Sequence, residues 1–135
     1  MVIKNGGTKM NIQSSWLNLR VEDLAASETF FSEIGFTVKR NEAVLDKMRG
    51  IETLDNKIIM LIERNQFEKV AQVSNVGSNS ALVSISVAKP EEVDCLLEQV
   101  EASGGQVLQS GTMHEGYYGG LFKDIDGHLF NIIVM

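Results

Sequence analysis

Polar side chains set inside apolar strands are the first candidates for chemistry. Asn131 interrupts HLFNIIVM near the C-terminus, and Asn18 and Arg20 interrupt WLNLRV near the start. A buried amide needs hydrogen-bond partners. Asn131 therefore either binds a ligand or pairs with a neighbour such as Asn18 or Ser84. Arg20 either anchors a carboxylate through its planar fork or makes a salt bridge at the strand end. Trp16 either stacks on a planar ligand or fills the space beside Met60 and Leu82.

The titratable candidates are few. His114 in GTMHEGYYGG lies in a Gly-flanked loop beside Tyr117 and Tyr118. It is a candidate acid or base at a pocket rim, or an exposed loop histidine. Glu63 and Glu68, after Met60, are the other candidate bases. His128 follows the turn DIDG and reads as a turn residue. Asp124 and Asp126 stand two apart in that turn, where Asp side chains cap their own backbone, so they read as structure. Cys95, between Val93 and Leu96 on a helical pattern, reads as a packed thiol.

The elements that position these residues follow from periodicity. Residues 16–21 alternate as a half-buried strand. EDLAASETFFSEIG follows as a helix, with Asp23 as cap and Gly35 as stop. FTVKRNE, AVLDKMRGIE and KIIMLIER supply three strands. NQFEKVAQVSNVGSNS is polar and Asn/Ser-rich, and reads as a connection. Then the order repeats. ALVSISV alternates, and KPEEVDCLLEQVEASGG is a helix with Pro90 at its first position and Gly104 at its end. QVLQS, YYGGLFKD and HLFNIIVM are strands.

This internal repeat predicts an α+β fold. Two βαβββ modules, 12–64 and 81–135, are joined by a loop at 65–80 within one domain, 1–135. Their sheets curl into a mixed-sheet cup with the helices outside. Parity sorts the side chains. Leu17, Leu19, Val21, Ile59, Leu61, Val83, Ile85, Val87, Phe130, Ile132 and Val134 face the helices. Trp16, Asn18, Arg20, Met60, Leu82, Ser84 and Asn131 face the cup. That mixed lining suits a small-molecule pocket, and Tyr118 is expected at its rim. A solvated or dimer-packed face has a similar composition.

Composition narrows the function. The net charge of −6 and the lack of a basic run argue against nucleic acid. No stretch has the length of a membrane span, and the N-terminus lacks the apolar region of a secretory signal. One cysteine excludes an intramolecular disulfide and a thiol metal cluster, and points to a reducing, cytoplasmic setting.

The repeat, with LRVEDLAASETFFSEIGF and GGLFKDIDGHLFNII, resembles the glyoxalase/bleomycin-resistance/extradiol-dioxygenase (vicinal oxygen chelate) superfamily from about Ile12 onward. IIMLIERNQF and SISVAKPEEVDCLLEQVEASGG resemble a divergent bacterial branch of predicted lactoylglutathione lyases. The resemblance implies a homodimer, and it implies a match between Arg20 and an arginine that contacts glutathione in glyoxalase I. It also implies metal-ligand positions on four strands, falling at Trp16, Met60, Leu82 and Asn131. None of these supplies a charged or imidazole ligand. Gly120 stands where relatives often place an arginine. The expectation is a metal-independent, cofactor-free small-molecule-binding protein. The alternatives are a lyase or isomerase using unusual residues, and a degenerate cup serving only protein interaction.

Overall fold

The computed structural model describes residues 10–72 and 80–135. The chain runs β1 (Leu17–Val21), α1 (Leu24–Ile34), β2 (Thr37–Lys39), β3 (Met48–Glu52), β4 (Ile58–Glu63), α2 (Arg64–Ala71), β5 (Leu82–Val87), α3 (Pro90–Ala102), β6 (Gln106–His114), β7 (Tyr117–Lys123) and β8 (Leu129–Val134). One 3-10 turn at Glu42–Val44 precedes β3. Among the described residues no helix is long and apolar enough to cross a membrane.

Local chemistry sets the helix ends. The Asp23 carboxylate accepts from the Ala26 N–H at the start of α1. Gly35 closes that helix at φ 118°, a left-handed conformation that disfavours a side chain. Pro90 opens α3, with Glu91 and Glu92 in its first turn. The connection expected at 65–80 differs from expectation at its start, because Arg64–Ala71 is helical. Glu63 caps it by accepting from the Gln66 N–H, and Gln72 ends it in the left-handed region. The polar composition suggests a loop there, but this short helix is held by packing against β1 and β4, with Phe67 half-buried. Residues 73–79 of that connection lie outside the described residues.

Two four-stranded mixed sheets form, ordered β1-β4-β3-β2 and β5-β8-β7-β6. They are not joined by strand pairing, so they stand as two separate walls of an open cup. Their registers repeat. Asn18 pairs with Met60, and Ser84 pairs with Asn131, at offsets of 84 − 18 = 66 and 131 − 60 = 71. The offset grows to 106 − 37 = 69 through the longer α3 and its exit, and reaches 71 through the longer β6–β7 hairpin.

Parity holds along the strands. Val21, Leu61, Phe130 and Ile132 are fully buried on the helix side, and Ile59, Val83, Ile85, Val87 and Val134 pack against the same core. That core joins the modules. Phe31 of α1 lies 5.7 Å from Phe130 of β8, which stacks on Phe122 of β7 at 5.1 Å. Arg49 is also on this face, because it pairs with Leu61. It is buried, and its Nε donates to Glu28 of α1 at 2.8 Å. Arg40 holds the same carboxylate. The Arg40 hydrogen bond, with Arg49 adding to it, keeps Glu28 below the usual carboxylate range despite partial desolvation.

Candidate functional site

The two walls present equivalent but chemically different centres. On the first, Asn18 and Met60 stand side by side, with Gly50 opposite Met60 on the next strand. On the second, the Ser84 hydroxyl donates to the Asn131 amide oxygen at 2.6 Å. Leu121 lies opposite Asn131 on β7. The pairing uses the amide oxygen, so donors are what Asn131 has left to offer a ligand.

α2 folds over the far end of the first wall. Glu68 on this helix lies 3.7 Å from Arg20 Nε, and Ile62 is buried although its parity places it on the cup side. Glu22 lies 3.5 Å from Arg20, and Arg64 reaches both Glu22 and Glu68. These four charges form one network, and Glu22 and then Glu68 raise Arg64 above the ordinary arginine value. Arg20 is therefore engaged in salt bridges, the second of its two sequence readings. Among the described residues its buried Nε has no hydrogen-bond partner, since 3.7 Å to Glu68 is too long for one.

The remaining candidates scatter. Trp16 is 66% exposed just before β1, and Leu82 is 51% exposed, so neither fills the cup within this chain. Tyr118 stands apart from the cup set, on the face that meets α3. It packs against the core and donates to Asp94 of α3 at 2.7 Å, which raises its phenol above the ordinary value. His114 is exposed near the tip of the β6–β7 hairpin, beside exposed Glu115. Glu63 is committed to capping and Glu68 to the arginines. Cys95 is exposed rather than packed, because α3 turns Val93, Leu97 and Val100 inward.

Gly120 also faces the helices, since it pairs with Ile132. A Cβ there would lie 2.5 Å from Leu97 Cδ1 and 2.8 Å from the Gln109 carbonyl oxygen. Glycine is what lets α3 approach β7, so an arginine at this position would not point into the cup. A groove of about 700 Å³ runs elsewhere, between α3 and β6, past Asp94, Glu98, Val107 and Gly111.

The positions implied for a divalent metal do not fit one. Trp16, Met60 and Leu82 offer no hard donor, and the single Asn131 oxygen already accepts from Ser84. Spacing alone marks a different group, Asp124, Asp126 and His128, whose ligating atoms lie within 4.8 Å of one another. Every carboxylate oxygen in it is engaged. Asp124 Oδ1 accepts from the Asp126 and His128 N–H groups, and Oδ2 meets His128 Nδ1 at 2.6 Å. Asp126 Oδ1 accepts from the Glu22 N–H at 3.1 Å, and Oδ2 from the Ser27 hydroxyl at 3.3 Å. The turn thus fastens the second module to the start of α1. Sequence reasoning read the Asp pair as structural, and missed this reach because its partners lie about a hundred residues away.

Comparison with known proteins agrees with this architecture. The family model described as Glyoxalase/Bleomycin resistance protein/Dioxygenase superfamily matches residues 13–132. A hypothetical protein from S. aureus is similar at 43% identity, with 93% of this chain and 96% of that one covered and a TM-score of 0.86. A glyoxalase-related enzyme from Fulvimarina pelagi is 25% identical, with 91% and 88% covered and a TM-score of 0.76. A glyoxalase/bleomycin resistance protein/dioxygenase family enzyme from Burkholderia phytofirmans PsJN shares the fold at 22% identity, with 89% and 96% covered and a TM-score of 0.77. No curated protein matches the chain.

Proposed function

Since the chain belongs to the Glyoxalase/Bleomycin resistance protein/Dioxygenase superfamily, we propose that it binds a small molecule between its two walls without the metal chemistry of the superfamily's enzymes. The observation that carries this reading is the pair of equivalent centres. Asn18–Met60 and Ser84–Asn131 bring amide, thioether and hydroxyl groups together, and no carboxylate or imidazole. Such groups orient a ligand by hydrogen bonds and soft apolar contact. The exposed cup-side residues Trp16, Ile58 and Leu82 support completion of the cup by a second copy, as a homodimer. The setting proposed for it is the cytoplasm.

A lactoylglutathione-lyase-like activity needs a base beside the substrate. Glu63, Glu68 and His114 are respectively a helix cap, a salt-bridge partner and an exposed hairpin residue. Their placement weighs against that alternative. Metal analysis of the purified protein, with a methylglyoxal and glutathione turnover assay alongside, tests the proposal. The expected result is a sedimenting dimer with substoichiometric Zn, Ni, Mn and Fe, and no turnover with any added divalent metal. A stoichiometric, tightly held metal or metal-dependent turnover overturns it.

A further inference from the structure

The two modules use the same turn before their last strand, but among the described residues only the second reaches across the molecule. In the first, the Thr53 N–H donates to the Lys57 carbonyl and the Asn56 N–H to the Thr53 carbonyl. In the second, the Asp124 N–H donates to the His128 carbonyl and the Gly127 N–H to the Asp124 carbonyl. Asn56 and Gly127 both take positive φ, at 66° and 87°. With the backbone the same, the side chains differ. Asp55 accepts from Thr53 within its own turn, and Leu54 beside it is fully exposed. Asp126 instead crosses to the Glu22 N–H and the buried Ser27 hydroxyl of the other module, and Asp124 beneath it is 4% exposed.

We infer that the Asp124–Asp126–His128 turn is a proton-operated clasp between the modules, closed when the His128 imidazole is protonated and loosened when it is neutral. The charges explain why. Two carboxylates are held close together, and a protonated imidazole against Asp124 is the cation that offsets them. The groups around it are few. From its own turn come Asp124 and Asp126. From β1 comes the Arg20 backbone carbonyl, which also favours the charged ring. The Arg20 guanidinium and the Glu22 carboxylate turn towards each other and to α2. From α1 come the neutral Ser27 hydroxyl and Asp23, whose carboxylate caps Ala26.

The titration directions agree with this geometry. Burial pulls His128 down, but the Asp124 hydrogen bond and the charges of Asp124 and Asp126 outweigh it, so the ring ends above its ordinary value. Burial pushes Asp126 up, and the charge of Asp124 adds to that. Asp55 moves the other way, lowered first by its Thr53 hydrogen bond. A histidine raised in the folded state contributes stability that is full below the unfolded value and lost as pH rises through the folded one. The window therefore opens near the ordinary histidine value of about 6.5 and extends upward.

Thermal denaturation of the full chain as a function of pH tests the clasp. The wild type is expected to lose roughly 3 °C between about pH 6.5 and about pH 9. His128→Gln flattens that slope, and His114→Gln, at the one other histidine, leaves it intact. Hydrogen-exchange protection of the Glu22 amide falls over the same window in the wild type. If His128→Gln fails to fold, NMR titration of the wild-type His128 ring decides, with deprotonation expected above the ordinary histidine value of about 6.5. A slope that survives His128→Gln, pH-independent Glu22 protection, or a His128 ring that titrates at or below about 6.5 overturns the clasp.

Discussion

The two modules solve one packing problem with different chemistry. The 66-residue offset that relates Asn18 to Ser84 also relates Glu28 of α1 to Asp94 of α3. Both acids tie their helix to their sheet. In the first module, Glu28 meets the buried Arg49. In the second, Asp94 meets the Tyr118 hydroxyl. The register also sets Arg49 equivalent to Gly120, since these residues pair with Leu61 and Ile132 at matching positions. Where the first module places a charge under its helix, the second places nothing and lets Leu97 drop into the space. A buried ion pair adds little net stability while intact, because desolvation offsets its attraction, but is costly when halved, whereas losing a hydroxyl–carboxylate contact at the edge costs little. Duplicated geometry therefore does not duplicate energetics.

The largest effect that sharpens this comparison comes from Glu28→Ala. It leaves the buried Arg49 without its carboxylate, though Nη1 still donates to the Leu45 and Met48 carbonyls, and is expected to cost roughly 3 kcal/mol in urea unfolding, the low end for a halved buried pair. Asp94→Ala is expected to cost distinctly less, because Tyr118 can turn to water. Equal losses would break the contrast. Glu28 also carries an acid signature. Its carboxyl is lowered in the folded state, so its contribution is present above the unfolded value and is lost as pH falls through the folded one. Glu28→Gln should reduce the loss of stability on acidification below about pH 4.5.

Gly120→Ala comes next. Its Cβ meets Leu97 Cδ1 and a backbone carbonyl, and overpacking of this kind costs about 2 kcal/mol. Combined with Leu97→Ala, itself costly at this buried position, it should destabilise by less than the sum of the two single changes, as the thermal midpoints show. A Gly120→Ala variant as stable as the wild type would show that α3 has room to move away.

The smallest effect is expected from Arg64→Ala at the open end of the first wall. The exposed contacts of Arg64 with Glu22 and Glu68 should contribute nothing resolvable to the thermal midpoint in about 0.15 M salt. A large loss there would make the α2 network a structural element of the first wall, unlike anything on the second.

Much of the fold was legible because strand alternation and helix punctuation are local. Leu19, Val21, Phe130 and Ile132 declare their face by parity alone, and Asp23, Gly35 and Pro90 mark helix ends by their own backbone chemistry. α2 was not legible, because its helix depends on leaning against β1 and β4 and its sequence resembles a polar connection. The candidate site was legible in part. Parity puts Asn18, Met60, Ser84 and Asn131 on one face of their strands, while the register, which parity does not give, pairs Asn18 with Met60 and Ser84 with Asn131. It could not choose between ligand and neighbour as partner for Asn131, and Ser84 now holds its oxygen. Tyr118 was expected at the cup rim but packs against the core beside Asp94. Which face of a hairpin strand is covered depends on how α3 lies across it, and that is a distance between elements.

The sequence by itself determined the repeat, the alternating walls, and the lack of charged or imidazole side chains at the four positions that the family resemblance marks for a metal, since side-chain identity needs no coordinates. Tertiary structure alone decided which charges meet. Asp126 finds Glu22 and Ser27, Arg49 finds Glu28, and Arg20 is held by Glu22 and Glu68. Electrostatic pairing depends on separation and burial in space. Neither quantity is fixed until the two modules pack against one another.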